Sequence, residues 1–318
     1  MTTRPANQIE RFAMRDGCQL AVRTQVAERP QAVLIHLHAN SFSSLAYMSY
    51  CRALAKEGVK PYFQDARGNG QSEGKPGDLD YIGQFEDDLN DLIAAVRSRH
   101  PTLPLFLSGH SGGAAVILRY LKKYGDSDLA GLIMLAPALQ PLPEASRFDM
   151  PGSHSFFRLR YLRNPGTRRK APTEKRPQLP RIRYGRIRLS EHFPPLQGLE
   201  VIRFPGDAKM AAVQGRTLGF SYRAAASCFT FDYENTFSRI RVPVFLRIGR
   251  EDDVTEPGLI ETIDRWHLHP ELRRSTAIVE GADHFSIVRH ALRDLVPWIH
   301  ASIESAPEAA HCPGRKQA

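Results

Sequence analysis

The sequence predicts an α/β fold, a mostly parallel sheet with helices on both faces. Short, nearly continuous apolar runs alternate with segments of helical spacing roughly 10–15 residues long, the signature of buried strands joined by crossover helices. This alternation occupies residues 31–139 and resumes after residue 240. Between the two lies a stretch of different character, rich in Arg and Pro.

Each element follows from its own pattern. Residues 9–14 and 19–26 flank Asp16-Gly17 and read as an antiparallel hairpin on the sheet edge. Gln31 to His38 is an apolar run ending in polar and small residues, a buried strand. Residues 44–57 place Leu45, Met48, Leu54 and Ala55 at helical spacing, and Gly58 stops that helix. A strand at 59–65 and a helix at 85–99, with Leu89, Leu92, Ile93 and Val96 on one side, come next. They are followed by a strand at 103–108, a helix at 112–124 and a strand at 129–136. Beyond 240 the order is strand 242–248, helix 258–268, strand 275–279 and a closing helix 287–303. The stretch 306–318 has no periodicity and is expected to be loose.

Composition narrows the class. Of 318 residues, 42% are hydrophobic and 24% charged, which is globular and excludes a disordered or collagen-like chain. The longest apolar stretch, 129–139, falls short of the ~20 residues of a membrane-spanning helix. No secretory signal is expected from the polar start Met1 to Pro5. Cys18, Cys51, Cys228 and Cys312 match no metal-ligand or redox spacing, so a reduced, cytoplasmic setting is expected. The net charge is +9, and all of the excess is local. Residues 147–190 hold thirteen basic and two acidic side chains, net +11, whereas the remaining 274 residues carry −2. Pro151, Pro165, Pro172, Pro177 and Pro180 argue against a long helix there.

Gly109-His110-Ser111-Gly112-Gly113 matches G-x-S-x-G. The context is more informative than the string: an apolar strand enters and a small-residue helix leaves, as in a nucleophile elbow. There the serine backbone is strained, and small residues two before and two after it let strand and helix approach. A serine hydroxyl needs a base to take its proton and an acid to orient that base. In this architecture these follow in the order serine, acid, histidine. Glu251, Asp252 and Asp253 stand after the strand ending at Ile248, and Asp283 and His284 in the loop after the last strand. His284 is set apart from the other eleven histidines by that location, and His36, His38, His110, His267, His269, His290 and His300 read as packing or surface residues.

The motifs together resemble the α/β-hydrolase superfamily, most closely its monoglyceride lipase, lysophospholipase and serine aminopeptidase-like (S33) branch. The resembling pieces are residues 38–41, Asp65-Ala66-Arg67-Gly68-Asn69-Gly70-Gln71-Ser72-Glu73-Gly74, 109–113, 129–139, Gly249 to Val254 and Gly281 to Phe285. The resemblance implies a hydrolase core at 1–139 and 240–305 and a cap inserted at 140–239. It implies Ser111 as nucleophile, His284 as base and, through the pattern G-x-x-D-x-V, Asp252 as acid, with Asp253 its rival. It also implies an oxyanion hole from the backbone N–H groups of Gly112 and Asn40, although Ala39 stands where the branch usually has Gly. The 65–70 run is expected to be a structural turn. In the second half of the cap, Met210, Phe220, Tyr222, Phe229 and Phe231 fit either an acyl pocket or core packing.

The expected function is a serine hydrolase that cleaves a carboxylic ester, lipid-like or small, through an acyl-enzyme, with no metal or organic cofactor. Acyl transfer and thioester hydrolysis use the same groups. A binding protein on this scaffold, with a basic cap meeting anionic lipid or nucleic acid, is the competing class. The arginine-rich segment suits an anionic membrane surface, whereas no nucleic-acid-binding motif accompanies it.

Overall fold

The computed structural model describes residues 8–139, 180–228, 233–272 and 274–304. The expectations for most of the basic segment, for Phe229 and Phe231 and for the stretch 306–318 lie outside the described residues.

Eight strands form one sheet: β1 (Gln8–Ala13), β2 (Gln19–Thr24), β3 (Ala32–Leu37), β4 (Val59–Gln64), β5 (Leu105–His110), β6 (Gly131–Leu135), β10 (Val244–Gly249) and β11 (Arg274–Val279). Their spatial order is β1-β2-β4-β3-β5-β6-β10-β11. β1 pairs antiparallel with β2, and β2 with β4, so the hairpin closes one edge as expected. The pairings from β4 through β11 are parallel.

Burial on both faces explains the unbroken apolar runs. Along β3, Val33, Ile35 and Leu37 enter one core with α2 (Gln84–Arg99) and α3 (Gly112–Tyr124). Ala32 and Leu34 enter the other, against α1 (Met48–Lys56) and α10 (Leu292–Glu304). Two expected helices differ in detail. The 258–268 segment forms a short α8 (Leu259–Thr262) that widens into a π-turn over Ile263–His267, where Leu268 N–H reaches back to Ile263 O at 3.0 Å. The closing helix runs as α9 (Ile287–His290) and α10 with a turn at Ala291, and α10 carries Pro297 inside it.

The chain leaves β3 toward β4 on one side and returns to β5 on the other. A crevice opens where connections diverge in this way, at the carboxyl ends of the strands. Ser41, Ser111 and Ala136 are the non-glycine residues with positive φ among the described residues, and they follow β3, β5 and β6 at that edge.

Residues between β6 and β10 build a second, three-stranded antiparallel sheet from β7 (Arg181–Ile182), β8 (Glu200–Arg203) and β9 (Gly219–Ser221). It is accompanied by α4 (Tyr184–His192), α5 (Ala208–Val213), α6 (Tyr222–Ser227) and α7 (Tyr233–Arg239). Phe220 and Tyr222 are buried, and Phe220 packs edge-on against Phe204 at 5.0 Å, so both serve the core, whereas Met210 is exposed on α5. The unit docks on the loop after β4: Ser221 N–H donates to Gly77 O at 2.7 Å, and Arg223 pairs with Asp78 at 2.9 Å. Among the described residues no helix is long and apolar enough to cross a membrane.

Asp65 organises the turn after β4. It is fully buried and accepts from Arg23 Nη1 at 2.8 Å, from Ser44 N–H and Oγ–H at 2.7 and 2.6 Å, and from Gln71 N–H at 2.9 Å. A Cβ on Gly70 would overlap this carboxylate, which is why the turn carries glycine there. Replacing Asp65 with Ala leaves buried Arg23 unpaired, so Asp65→Ala is expected to lower stability by about 3–5 kcal/mol. Urea denaturation with an unchanged slope checks this.

Candidate active site

Ser111 lies in the tight turn between β5 and α3. Its φ of 53° and ψ of −117° are strained for a residue with a side chain, at a cost on the order of 1–3 kcal/mol. The surrounding backbone holds it there: Ser111 N–H donates to Leu135 O at 2.9 Å, and Ser111 O accepts from Ala114 and Ala138 at 3.1 and 3.0 Å. The flanking glycines have a steric reason. A Cβ on Gly109 would strike the Ala114 backbone, and one on Gly113 would strike the carbonyls of Leu37 and His38. The G-x-S-x-G spacing is therefore what lets β5, α3 and the end of β3 meet.

The structure brings Ser111, His284 and Asp252 into one hydrogen-bonded row. His284 Nε2 stands 2.9 Å from Ser111 Oγ, and His284 Nδ1 stands 2.9 Å from Asp252 Oδ2. All three side chains are buried. Asp252 Oδ1 also accepts the N–H groups of Val254 and Thr255 at 2.8 and 2.6 Å, which fixes the carboxylate and stabilises its charge. Asp253, the rival acid, is exposed, and among the described residues the carboxylate that His284 Nδ1 meets is that of Asp252. Asp283 turns away as well: its Oδ1 accepts Phe285 and Ser286 N–H, and the Ser286 backbone bond lowers its pKa. The loops that carry Asp252 and His284 approach because residue 249 is glycine; a Cβ there would overlap Ala282 O, which accepts Glu251 N–H at 3.0 Å.

The two backbone donors named from the sequence are neighbours. Gly112 is the first residue of α3, so its N–H has no acceptor within the helix. The Asn40 amide covers the face of Gly112 where a side chain would stand. Ala39 O accepts from His38 Nδ1–H at 2.8 Å and from Phe42 N–H at 3.1 Å. In a trans peptide the next N–H points opposite to that carbonyl, so these two bonds also orient Asn40 N–H. Alanine in place of glycine at 39 thus leaves the loop pinned by its own carbonyl.

Comparisons with known proteins agree with this architecture. Residues 28–171 match the family model described as Serine aminopeptidase, S33. The chain is 27% identical over 110 residues to a monoacylglycerol lipase of Mycolicibacterium smegmatis, covering 35% of this chain and 39% of that one. It is 30% identical over 118 residues to the human monoglyceride lipase, covering 37% and 38%. The matched stretches thus span less than two-fifths of the length of these two relatives. Among solved structures, a soluble variant of the Saccharomyces cerevisiae monoglyceride lipase superposes with a TM-score of 0.62 at 16% identity, covering 95% of this chain and 97% of that one. This chain has the α/β-hydrolase fold. Its likeness to the S33 branch lies in the half that carries Asn40 and Ser111.

One residue of the site plays a part the sequence did not reveal. His110 is neither a surface residue nor simple packing. It is fully buried, its Nε2 lies 2.7 Å from His284 O, and its Nδ1 lies 2.7 Å from Tyr47 Oη. A carbonyl can only accept, so Nε2 carries the proton and Nδ1 accepts from the tyrosine. Tyr47 Oη in turn accepts Ala39 N–H at 2.9 Å. Burial, and then His284, push the His110 pKa down to about 3, which keeps the ring neutral and this direction of bonding intact. The chain Ala39–Tyr47–His110–His284 ties the loop after β3 to the loop that bears His284. With twelve histidines in the sequence, nothing but the fold distinguishes this one. Tyr47→Phe leaves Ala39 N–H and His110 Nδ1 unpaired in a buried site. It is expected to cost about 1–3 kcal/mol in chemical denaturation and to shift the ring-proton resonances of His284.

Proposed function

We propose that this α/β-hydrolase is a serine esterase acting on a carboxylic ester, lipid-like or small, through an acyl-enzyme. The observation that carries the reading is the row Ser111 Oγ–His284 Nε2, His284 Nδ1–Asp252, at 2.9 Å for each link. His284 takes the Ser111 proton as Oγ forms a bond to the carbonyl carbon, and the carbonyl electron pair moves onto oxygen. Gly112 and Asn40 N–H groups receive that oxyanion, in a role worth about 3–4 kcal/mol for a well-placed donor. The carbon–oxygen bond to the alcohol breaks as His284 returns the proton to it. Water, deprotonated by the same histidine, then releases the acid and restores Ser111. Asp252 keeps Nδ1 protonated so that Nε2 is free to accept, and it stabilises the imidazolium. The names of the monoglyceride and monoacylglycerol lipases favour an acyl glycerol among possible esters.

A fluorophosphonate probe is expected to label the wild-type chain and not Ser111→Ala. Turnover of nitrophenyl esters should fall on the order of 10⁴-fold in Ser111→Ala and Asp252→Asn, and change little in Asp253→Asn. Labelling of the alanine variant, or a larger loss at Asp253 than at Asp252, would sink the assignment.

The arginine-rich segment supports a second element of the reading, contact with an anionic lipid surface. In its described part, α4 exposes Arg186 and Arg188 beside Tyr184 and Leu189, and exposed Phe193 follows. Cations interleaved with apolar side chains suit a charged membrane surface. Co-sedimentation should be stronger with phosphatidylserine-containing than with phosphatidylcholine vesicles and should weaken as salt rises. Equal binding to both would remove this element and leave the esterase reading untouched.

A further inference from the structure

The loop 214–217, between α5 and β9, closes over the segment that follows β3. Ser43 Oγ–H donates to Gln214 O at 2.8 Å, Thr217 N–H donates to Ser41 O at 3.2 Å, and Gly70 N–H donates to Gly215 O at 2.9 Å. This docking lays the Arg216 guanidinium over the Phe42 ring, 4.5 Å from its centroid. Phe42 meets Phe285 at 5.2 Å, and Phe285 meets the His284 ring edge-on at 5.2 Å. Arg216 thus stands two aromatic side chains from the base, beside the loop that holds Asn40.

Its bonding is incomplete. Nη2 reaches only Ser41 Oγ at 3.4 Å and Pro205 O at 3.3 Å, both beyond the usual N–H···O range. Nε is buried without a partner. Among the described residues no carboxylate lies within ion-pair distance of this guanidinium, whereas Arg23 on β2, Arg67 after β4 and Arg223 on α6 pair with Asp65, Asp88 and Asp78 at 2.8, 2.6 and 2.9 Å. Burial without an acid lowers the Arg216 pKa. The face of Phe42 offsets part of that desolvation, but a ring supplies no acceptor for the guanidinium fork.

We infer that Arg216 is an anion subsite beside the Ser111–His284 site, recognising a carboxylate or phosphate on an amphiphilic ester. This inference rests on the proposal that Ser111 is the nucleophile of an esterase. A guanidinium binds such groups through paired, charge-assisted hydrogen bonds. Phe42 and the half-exposed Phe285 supply the apolar wall next to it, which suits a chain attached to the charged head rather than a free ion.

Calorimetric titration of the full Ser111→Ala chain tests this without turnover. The ligands are dodecyl phosphate, dodecanoate and the neutral dodecyl glycerol ether, each below its micellar concentration, with inorganic phosphate as the free-ion arm. At least one anionic amphiphile is expected to bind about tenfold tighter than the neutral one. The preference should disappear in Arg216→Gln, persist in part in Arg216→Lys and be unchanged in a charge control at exposed Arg188→Gln. The phosphate and carboxylate arms identify which head group the subsite takes. Equal binding of neutral and anionic ligands, a preference that survives Arg216→Gln, or inorganic phosphate binding as tightly as dodecyl phosphate would each overturn the subsite. Failure of the probe to label wild-type Ser111 would instead overturn the esterase reading, and the titration would still decide what Arg216 binds.

Discussion

The close approach of three backbones at Ser111 is the constraint on which the rest of the site depends. The carboxyl end of β5, the start of α3 and the end of β3 meet where Gly109 and Gly113 have no side chains, and any Cβ at either glycine would strike main chain. That contact holds Ser111 at a positive φ and presents its Oγ at the sheet edge. The hydrogen bonds Ser111 N–H to Leu135 O and Ala138 N–H to Ser111 O then extend the constraint to the end of β6. The strain is local, and the packed sheet beneath it bears the cost.

Around this point the buried polar groups form bonds of determined direction. His110 donates to the His284 carbonyl and accepts from Tyr47, which accepts from Ala39. His38 donates to Ala39 O and accepts from Ala66 N–H at 3.0 Å, so the loop after β3 is held from both sides of one peptide. Burial lowers the pKa of His38 and His110. Neutral rings keep one donor and one acceptor each, which is what such a network requires. The proposed oxyanion donor and the proposed base therefore share one support.

Charge is distributed on a different principle. The sequence concentrates its excess in residues 147–190, and in the described part of that region Arg183 pairs with Glu200, just beyond the segment, at 3.1 Å. Arg23 of β2, Arg67 after β4 and Arg223 of α6 each tie one element to another through an aspartate. Arg216 differs from these three in meeting a ring, a hydroxyl and a carbonyl in place of an acid.

Strand and helix periods depend on neighbours in the chain, so the order of elements, the edge hairpin and the elbow were legible in the residues alone. Gly109, Ser111 and Gly113 could be read because a tight turn imposes its requirements at fixed spacing, and His284 because the loop after the last strand has a set place in this topology. Contacts between residues far apart in sequence leave no such pattern. The resemblance favoured Asp252 over its neighbour Asp253, but only the folded chain shows which of the two the loop turns inward toward His284. The same holds for His110, whose partners Tyr47 and His284 lie 63 and 174 residues away. Arg216 likewise became distinct through Phe42 and through the acid it lacks among the described residues, conditions set by the docking of one loop on another.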